Sequence, residues 1–497
     1  MSVSRSIEIE RKYEVTDRAV LPPLHTLDRV VSAEAQPVAL LDAVYVDTAD
    51  RTLLAAGIAV RRRTGGHDAG WHVKLRGTVG RVELHAPIDE WDPDAFPASF
   101  EAALRSRVRG RPLTPIARIR TERHAVVVRD DAGGGVEVVD DHVTATDVAA
   151  GVVRSWREWE AEQAEDSAAC AALLGRVHAA LVGSGAAPSA SPAKIAQALG
   201  LVGADASRAA RPADLPRTAG SVLAGLIAGH AEELHRGIQS LALDGDPDGA
   251  TVHGMRKTIR RARSVLALEH VAGPAGRALR ERLGELGRLL GTVRDPLVAA
   301  GVARGLLVEL PAATPGLAAA RALLVDEPLA RQGAETTALV DRLGTDAVLA
   351  VLAELEAFDP DGPLVGEKPK ALTAEVDRTV RRARRRTRHA LDGDLDAMHR
   401  GRKAAKRARF VVEEAVAAGV VQSGSRRTRT ATRQERAQDV LGEHRDLALV
   451  LDGLPAASAR LTAAGDNAYA LGLIAERGRR RLSSLRRDAE RAVRHLS

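Results

Sequence analysis

Two stretches of the chain, VHGMRKTIRRARSVL (252–266) and MHRGRKAAKRARFVV (398–412), repeat one pattern, and this duplication constrains the fold more than any other feature. His253, Arg256, Lys257, Arg260, Arg261 and Arg263 align with His399, Arg402, Lys403, Lys406, Arg407 and Arg409. Val252, Met255, Ile259, Ala262 and Leu266 align with Met398, Gly401, Ala405, Ala408 and Val412, a stripe at helical spacing that faces a core. His253, Arg256, Lys257 and Arg260 make a separate stripe at i, i+3, i+4 and i+7. Downstream, LLGTVRD (289–295) repeats as VLGEHRD (440–446), pairing Arg294 with Arg445 and Asp295 with Asp446. Two matched motifs in the same order predict duplicated helical units, two four-helix bundles spanning 218–497.

Nothing in the first part of the chain shares this character. Residues 1–202 hold 24 Lys+Arg against 28 Asp+Glu and all four tryptophans, while the rest holds 48 against 38 and almost no aromatics. A basic, aromatic-poor region suits a phosphate-rich partner; single-stranded nucleic acid wants stacking platforms that are missing here. Solvated helix faces normally mix signs, yet Met255–Ser264 carries no carboxylate. Phosphate compensates such a stripe, because arginine offers bidentate donors and lysine a point charge. Gly203–Pro216 is small, polar and proline-containing, and reads as the linker of a 1–202, 203–217, 218–497 division. The one cysteine, Cys170, forms no intrachain disulfide and fits a reducing cytoplasm. No run of ~18 apolar residues predicts a membrane span.

Residues 1–202 read mainly as strands, near 5–15, 41–47, 57–63, 71–76, 81–88, 116–129, 135–140 and 152–162, with helices near 97–107, 166–182 and 193–200. About eight strands can close into a barrel. Period two places Glu8, Glu10 and Lys12 on one face; likewise Arg61 with Arg63, Lys74 with Arg76, Arg81 with Glu83, Glu158 with Glu160 and Glu162, and Glu137 with Asp141. Ionisable rows on most strands of one barrel point to a water-filled tunnel holding a divalent cation and an anionic chain. Arg123 fits a basic tunnel position, while Arg118 and Arg120 have the opposite parity and compete with it; Asp140 competes with Asp141 in the same way. No Ser/His/Asp or Cys/His nucleophile is evident.

The ExExK start, DAVYVDTADRTLLAAGIAVRRR (42–63), WHVKL (71–75) and WREWEAE (156–162) resemble the CYTH, or triphosphate tunnel metalloenzyme, superfamily over nearly all of 1–202. The duplicated HxxRK and LGxxRD motifs resemble a CHAD domain over about 215–497. The first resemblance implies an antiparallel eight-stranded tunnel that hydrolyses or cyclises triphosphates with Mg²⁺ or Mn²⁺. Carried over, Glu8, Glu10, Asp141, Glu160 and Glu162 surround metal; Lys12, Arg61, Arg63, Lys74, Arg123 and Lys194 bind phosphate oxygens; and Lys12, Glu158, Glu160 and Glu162 serve the chemistry. The second implies a helical module binding inorganic polyphosphate through His253, Arg256, Lys257, Arg260, Arg263, Arg294, His399, Arg402, Lys403, Lys406, Arg409 and Arg445. The expectation is a cytoplasmic, metal-dependent inorganic triphosphatase, associated with polyphosphate granules. Its alternatives are a polyphosphate-binding protein with a weakly active or sensory tunnel, an adenylate cyclase and a thiamine triphosphatase. Membrane and nucleic-acid partners are not expected.

Overall fold

The structure is a computed structural model that describes residues 3–76, 81–88, 95–189, 191, 193–201, 217–389 and 395–494. It divides into two compact units, Met1–Leu215 and Pro216–Ser497. The expected linker, apart from Arg217, lies outside the described residues.

The first unit is one antiparallel sheet. Its strands are β1 (Ser4–Glu8), β2 (Glu10–Glu14), β3 (Val30–Ala35), β4 (Ala39–Asp47), β5 (Ala59–Thr64), β6 (Gly70–Arg76), β7 (Arg81–Pro87), β8 (Thr114–Asp130), β9 (Gly135–Asp147), β10 (Val153–Gln163) and the two-residue β11 (Ala187–Pro188). The order is β1-β7-β6-β5-β4-β8-β9-β10-β2-β11, with β3 paired to β8. β1 and β2 are halves of one N-terminal strand, interrupted at Ile9, whose carbonyl accepts from the Gln163 amide at 3.0 Å. One half pairs with β7 and the other with β10, so this strand joins the two ends of the sheet. Together with β4–β10 it makes eight staves, the number expected, and few backbone edges remain open. β3 and β11 are additions that sequence patterning did not show.

Among the described residues four α-helices dress this sheet: α1 (Thr52–Ala55), α2 (Ala98–Val108), α3 (Ala168–Gly183) and α4 (Lys194–Ala198). Tyr13, Val136, Val138, Trp159 and Ala161 point away from the interior and bury against Leu173, Val177 and Leu181 of α3. Each such large apolar side chain contributes ~1.5–3 kcal/mol when fully buried. The alternate residues of the same strands, Lys12, Glu158 and Glu160, therefore face inward. One end of the interior is apolar: Ala43, Ala117, Ile119, Val143 and Ala145 pack against Ile195 and Ala198 of α4, which closes it. Asp47 is buried and organises the β4–α1 turn, accepting from the amides of Thr48 (2.7 Å), Leu53 (3.0 Å) and Leu54 (2.9 Å). Cys170 is buried and its Sγ accepts from the Gly135 amide at 3.2 Å.

The second unit is all-helical: α5 (Ala219–Asp244), α6 (Ala250–Val265), α7 (Glu269–Val308), α8 (Leu317–Arg321), α9 (Glu327–Leu343), α10 (Asp346–Glu356), α11 (Lys370–His389), α12 (Leu395–Ala417), α13 (Arg426–Ala463) and α14 (Tyr469–Arg494). α7 kinks at Gly273, whose φ of +64° leaves the helical region. The duplicated motifs occupy α6 and the middle of α7, then α12 and the middle of α13. The repeat's apolar stripe is buried: Val252, Met255, Ile259 and Ala262 in the first copy, Ala405, Ala408 and Val412 in the second. The larger core mixes both copies, since Val411, Val412 and Ala415 of α12 join residues of α5, α6, α7, α9 and α10. A second core gathers the C-terminal parts of α7 and α13 with α14.

Candidate functional site

The inward rows enclose a cavity of about 890 Å³, lined among others by Glu8, Glu10, Lys12, Arg61, Arg63, Lys74, Glu83, Arg123, Glu137, Glu160, Glu162 and Lys194. Parity resolves both sequence ambiguities. Arg118 and Arg120 lie outside, with Asp42 at 2.6 and 3.2 Å, while Arg123 lines the cavity. Asp140 turns away to Arg157 at 2.6 Å, while Asp141 is fully buried and bonds Arg123 through both oxygens at 2.8 and 2.7 Å.

One side of the interior is built on β5, β6 and β7. Lys74 lies 2.6 Å from Glu8 and 3.7 Å from Glu83. Arg61 lies 3.5 Å from Glu83 and donates to the Tyr45 hydroxyl at 3.3 Å. Arg63 pairs with Asp68. His72, which the sequence reading passed over, is buried with Nδ1 2.8 Å from Glu83 and Nε2 3.0 Å from the Asp68 carbonyl. Its even spacing from Lys74 was the available signal. The two carboxylates beside Lys74 divide their roles. Burial pushes Glu8 up to about 8 despite Lys74. Burial also opposes charge on Glu83, but His72 and Lys74 override it and hold that carboxyl far below its usual range.

The opposite side gathers carboxylates and cations together. Among the described residues one group of three possible metal ligands, Asp141, Glu158 and Glu160, has its oxygens all within 4.8 Å of one another. Lys194 reaches into it from the start of α4, its Nζ 3.0 Å from Asp141, 2.6 Å from Glu158 and 2.7 Å from Glu160. Arg123 adds a contact to Glu160 at 3.2 Å, and Lys12 pairs with Glu160 and, at 3.0 Å, with Glu10. The Trp156 indole donates to Glu158 at 2.6 Å. Burial opposes charge throughout, yet Lys12, Lys194 and Arg123 hold Glu160 well below the carboxylate range, and the carboxylates in turn raise Lys12 and Lys194. Glu162 lines the cavity apart from this group, and burial pushes it up to about 7. Three converging carboxylates are the hard oxygen donors that Mg²⁺ and Mn²⁺ favour, so the donor set fits such an ion. Of the residues expected at metal, Asp141 and Glu160 belong to this group; Glu8, Glu10 and Glu162 do not, and Glu158, expected to serve the chemistry, does.

The helical unit carries the expected basic stripe, divided in two. Burial, Arg256, Arg402 and Arg445 lower Arg260 to about 10, so cations of both repeats act on it. Burial, Arg260, Arg402 and Arg409 lower Lys406 to about 7. Burial, Arg294, Arg260, Arg256 and Lys257 lower His253. Arg256 and Arg402 pack the same way, over Gly291 and Gly442. Lys257 and Lys403 are exposed. Arg409 instead pairs with Glu413 at 3.2 Å and with Glu435. Arg263 leaves the stripe: its Nε donates to the Arg280 carbonyl at 3.1 Å, and it lies over Gly284. The position matching Gly284 in the second copy is Glu435, and that break in the repeat explains why Arg263 and Arg409 diverge. The His399 side chain lies outside the described residues.

Comparison with known proteins agrees with this architecture. The CYTH domain model matches residues 6–172 and the CHAD domain model residues 225–454. Two uncharacterized proteins of Mycobacterium tuberculosis, from strains CDC 1551 and H37Rv, are each 31% identical over 532 aligned positions, covering 99% of this chain and 98% of the relative. The chain thus belongs to the family in which a CYTH domain precedes a CHAD domain. CYTH domains are metal-dependent enzymes acting on triphosphates, as triphosphatases or cyclases, and CHAD domains are linked to polyphosphate binding. Among solved structures, PptA from Streptomyces chartreusis aligns at a TM-score of 0.45 and 18% identity, covering 56% of this chain and 99% of its own. The CHAD domain from the plant Ricinus communis aligns at 0.44 and 22%, covering 55% and 94%. The putative adenylyl cyclase HpAC1 from Hippeastrum, described as having a dominant triphosphatase activity, aligns at 0.24 and 16%, covering 41% and 100%. No helix among the described residues is long and apolar enough to cross a membrane.

Proposed function

We propose that the CYTH domain hydrolyses inorganic triphosphate or short polyphosphate with Mg²⁺ or Mn²⁺, and that the CHAD domain binds inorganic polyphosphate. The observation that carries this is the enclosed charge of the cavity: Arg61, Arg63 and Lys74 with Glu8 and Glu83 on one side, Lys12, Arg123 and Lys194 with three converging carboxylates on the other. A linear triphosphate spans these sides with its oxygens on Lys12, Arg61, Arg63, Lys74 and Arg123. Asp141, Glu158 and Glu160 hold the divalent ion, with Glu8, Glu10 and Glu162 as its further surroundings. The bound ion supplies charge neutralisation on the transferred phosphoryl group and lowers the barrier to ionising water. The chain's own part is positioning: the cations fix the phosphates in line and stabilise charge as it shifts to the leaving group, and a carboxylate of the Glu158, Glu160, Glu162 row orients the attacking water. Inorganic substrate is favoured because Tyr45 alone, among the described lining residues, carries a phenol or indole ring, and its hydroxyl is committed to Arg61.

Phosphate release from inorganic triphosphate, with and without Mg²⁺ or Mn²⁺, tests this reading. Metal-dependent release supports it. Absence of release, with polyphosphate still retained by the chain, favours the competing reading of a polyphosphate-binding protein with a sensory tunnel. The same reading places the protein in the cytoplasm, on polyphosphate granules.

A further inference from the structure

We propose that Lys194 and the divalent cation are alternative occupants of one three-carboxylate site, so that binding the cation releases the Lys194 ammonium into the cavity. The Nζ atom sits at similar distances, 3.0, 2.6 and 2.7 Å, from Asp141, Glu158 and Glu160. The ammonium donates a hydrogen bond to Glu160 and lies within ion-pair distance of Asp141 and Glu158. A Mg²⁺ ion bound directly needs oxygens at ~2.0–2.1 Å. It would draw on the same three carboxylates and stand close to the ammonium, and two cations so near each other repel strongly in a buried site. One of them must leave.

The lysine is built to be the one that moves. Its helix stays anchored through Ile195 and Ala198, which are buried against Ala43, Ala117, Ile119, Val143 and Ala145. Only the flexible four-carbon stem has to swing. It swings into space that exists, because Lys194 lines the cavity. Metal binding therefore does two things: it replaces one positive charge by two among the carboxylates, and it frees a cation where phosphate oxygens lie. The cation and the anionic substrate then bind cooperatively, since each favours Lys194 away from the carboxylates. Without metal, the charge on the lysine offsets the cost of burying three acids together.

This rests on the proposal above that Asp141, Glu158 and Glu160 take a divalent ion, and the experiment separates the two. Mn²⁺ binding to the full chain is followed by the electron paramagnetic resonance signal of free Mn²⁺. Lys194→Met, which keeps the stem and removes the charge, raises Mn²⁺ affinity about tenfold or more, whereas Asp141→Asn lowers it by a similar factor. In the unmodified chain, reductive methylation of Lys194, mapped by peptide mass spectrometry, is slow without metal and severalfold faster at saturating Mn²⁺; the exposed Lys368 and Lys370 are unaffected. Equal or weaker Mn²⁺ affinity in Lys194→Met overturns the exchange. So does Lys194 methylation that ignores saturating Mn²⁺, a readout that holds even if the variant does not fold. Mn²⁺ binding untouched by Asp141→Asn overturns the three-carboxylate site itself.

Discussion

Polyphosphate binding by the helical unit is predicted to take up a proton at Lys406. Burial and the surrounding Arg260, Arg402 and Arg409 lower this amine to about 7, with Asp439 acting in the opposite direction and Phe410 5.7 Å from Nζ. A polyanion laid along the stripe relieves that repulsion and returns the amine toward ~10.4. Affinity is then highest below pH 7 and falls as the pH rises through 7, because the lysine must be charged to bind. A full shift gives about one decade per pH unit well above pH 7, and about fiftyfold between pH 7 and 9. Lys406 is only partly buried, and solvent screening reduces this to about tenfold. Without ligand the sign for stability is opposite to that for binding: the unfolded lysine holds its proton to higher pH, so this group makes folding more favourable as pH rises above 7. Titration calorimetry with long-chain polyphosphate at pH 7, 8 and 9, in buffers of different ionisation enthalpy, reads both the affinity and the proton uptake. Lys406→Arg stays charged and flattens the dependence. An equal pH slope in Lys406→Arg and the unmodified chain refutes the reasoning.

Three further outcomes follow from the geometry. Glu8→Ala and Lys12→Ala each lower metal-dependent phosphate release from triphosphate by about hundredfold or more, measured as initial rates, while leaving polyphosphate retention unchanged. Asp47→Ala strands the Thr48, Leu53 and Leu54 amides in a buried turn. It costs ~3 kcal/mol, and a melting point lowered by several degrees in thermal denaturation checks this. Arg256→Ala and Arg402→Ala weaken polyphosphate binding by similar factors, about tenfold each, because both guanidinium groups pack over matched glycines; fluorescence anisotropy shows it, and duplex DNA fails to compete.

Alternation made the barrel legible. Once Glu8, Glu10 and Lys12 share a face, the opposite face must be apolar, and Tyr13 and Trp159 under α3 meet that demand. The same parity argument separates Arg123 from Arg118 and Asp141 from Asp140, but only after pairing partners are known, since a strand's two faces are equivalent until something covers one. β3 was missed because VVSAEA shows no clean alternation and pairs only with the far half of the long β8. α1 was missed because its start depends on Asp47, at the end of the preceding strand, more than on any helix-start signal in its own four residues. In the helical unit the duplication gave the element order and the stripe. It did not give the departure of Arg263, because that depends on Gly284 of α7, outside the aligned motif. Nor did spacing show that Lys194 meets Asp141, Glu158 and Glu160, because three separate elements converge there.

On the function proposed above, the cavity neutralises and cleaves an inorganic phosphate chain. The most direct measurement is the rate of phosphate release from inorganic triphosphate, set beside longer polyphosphate, ATP and thiamine triphosphate, each with Mg²⁺ and with Mn²⁺. Fastest turnover of inorganic triphosphate, abolished by removing the metal, is the predicted result. Preferential turnover of ATP or thiamine triphosphate, or no phosphate released from triphosphate with either ion, would contradict it.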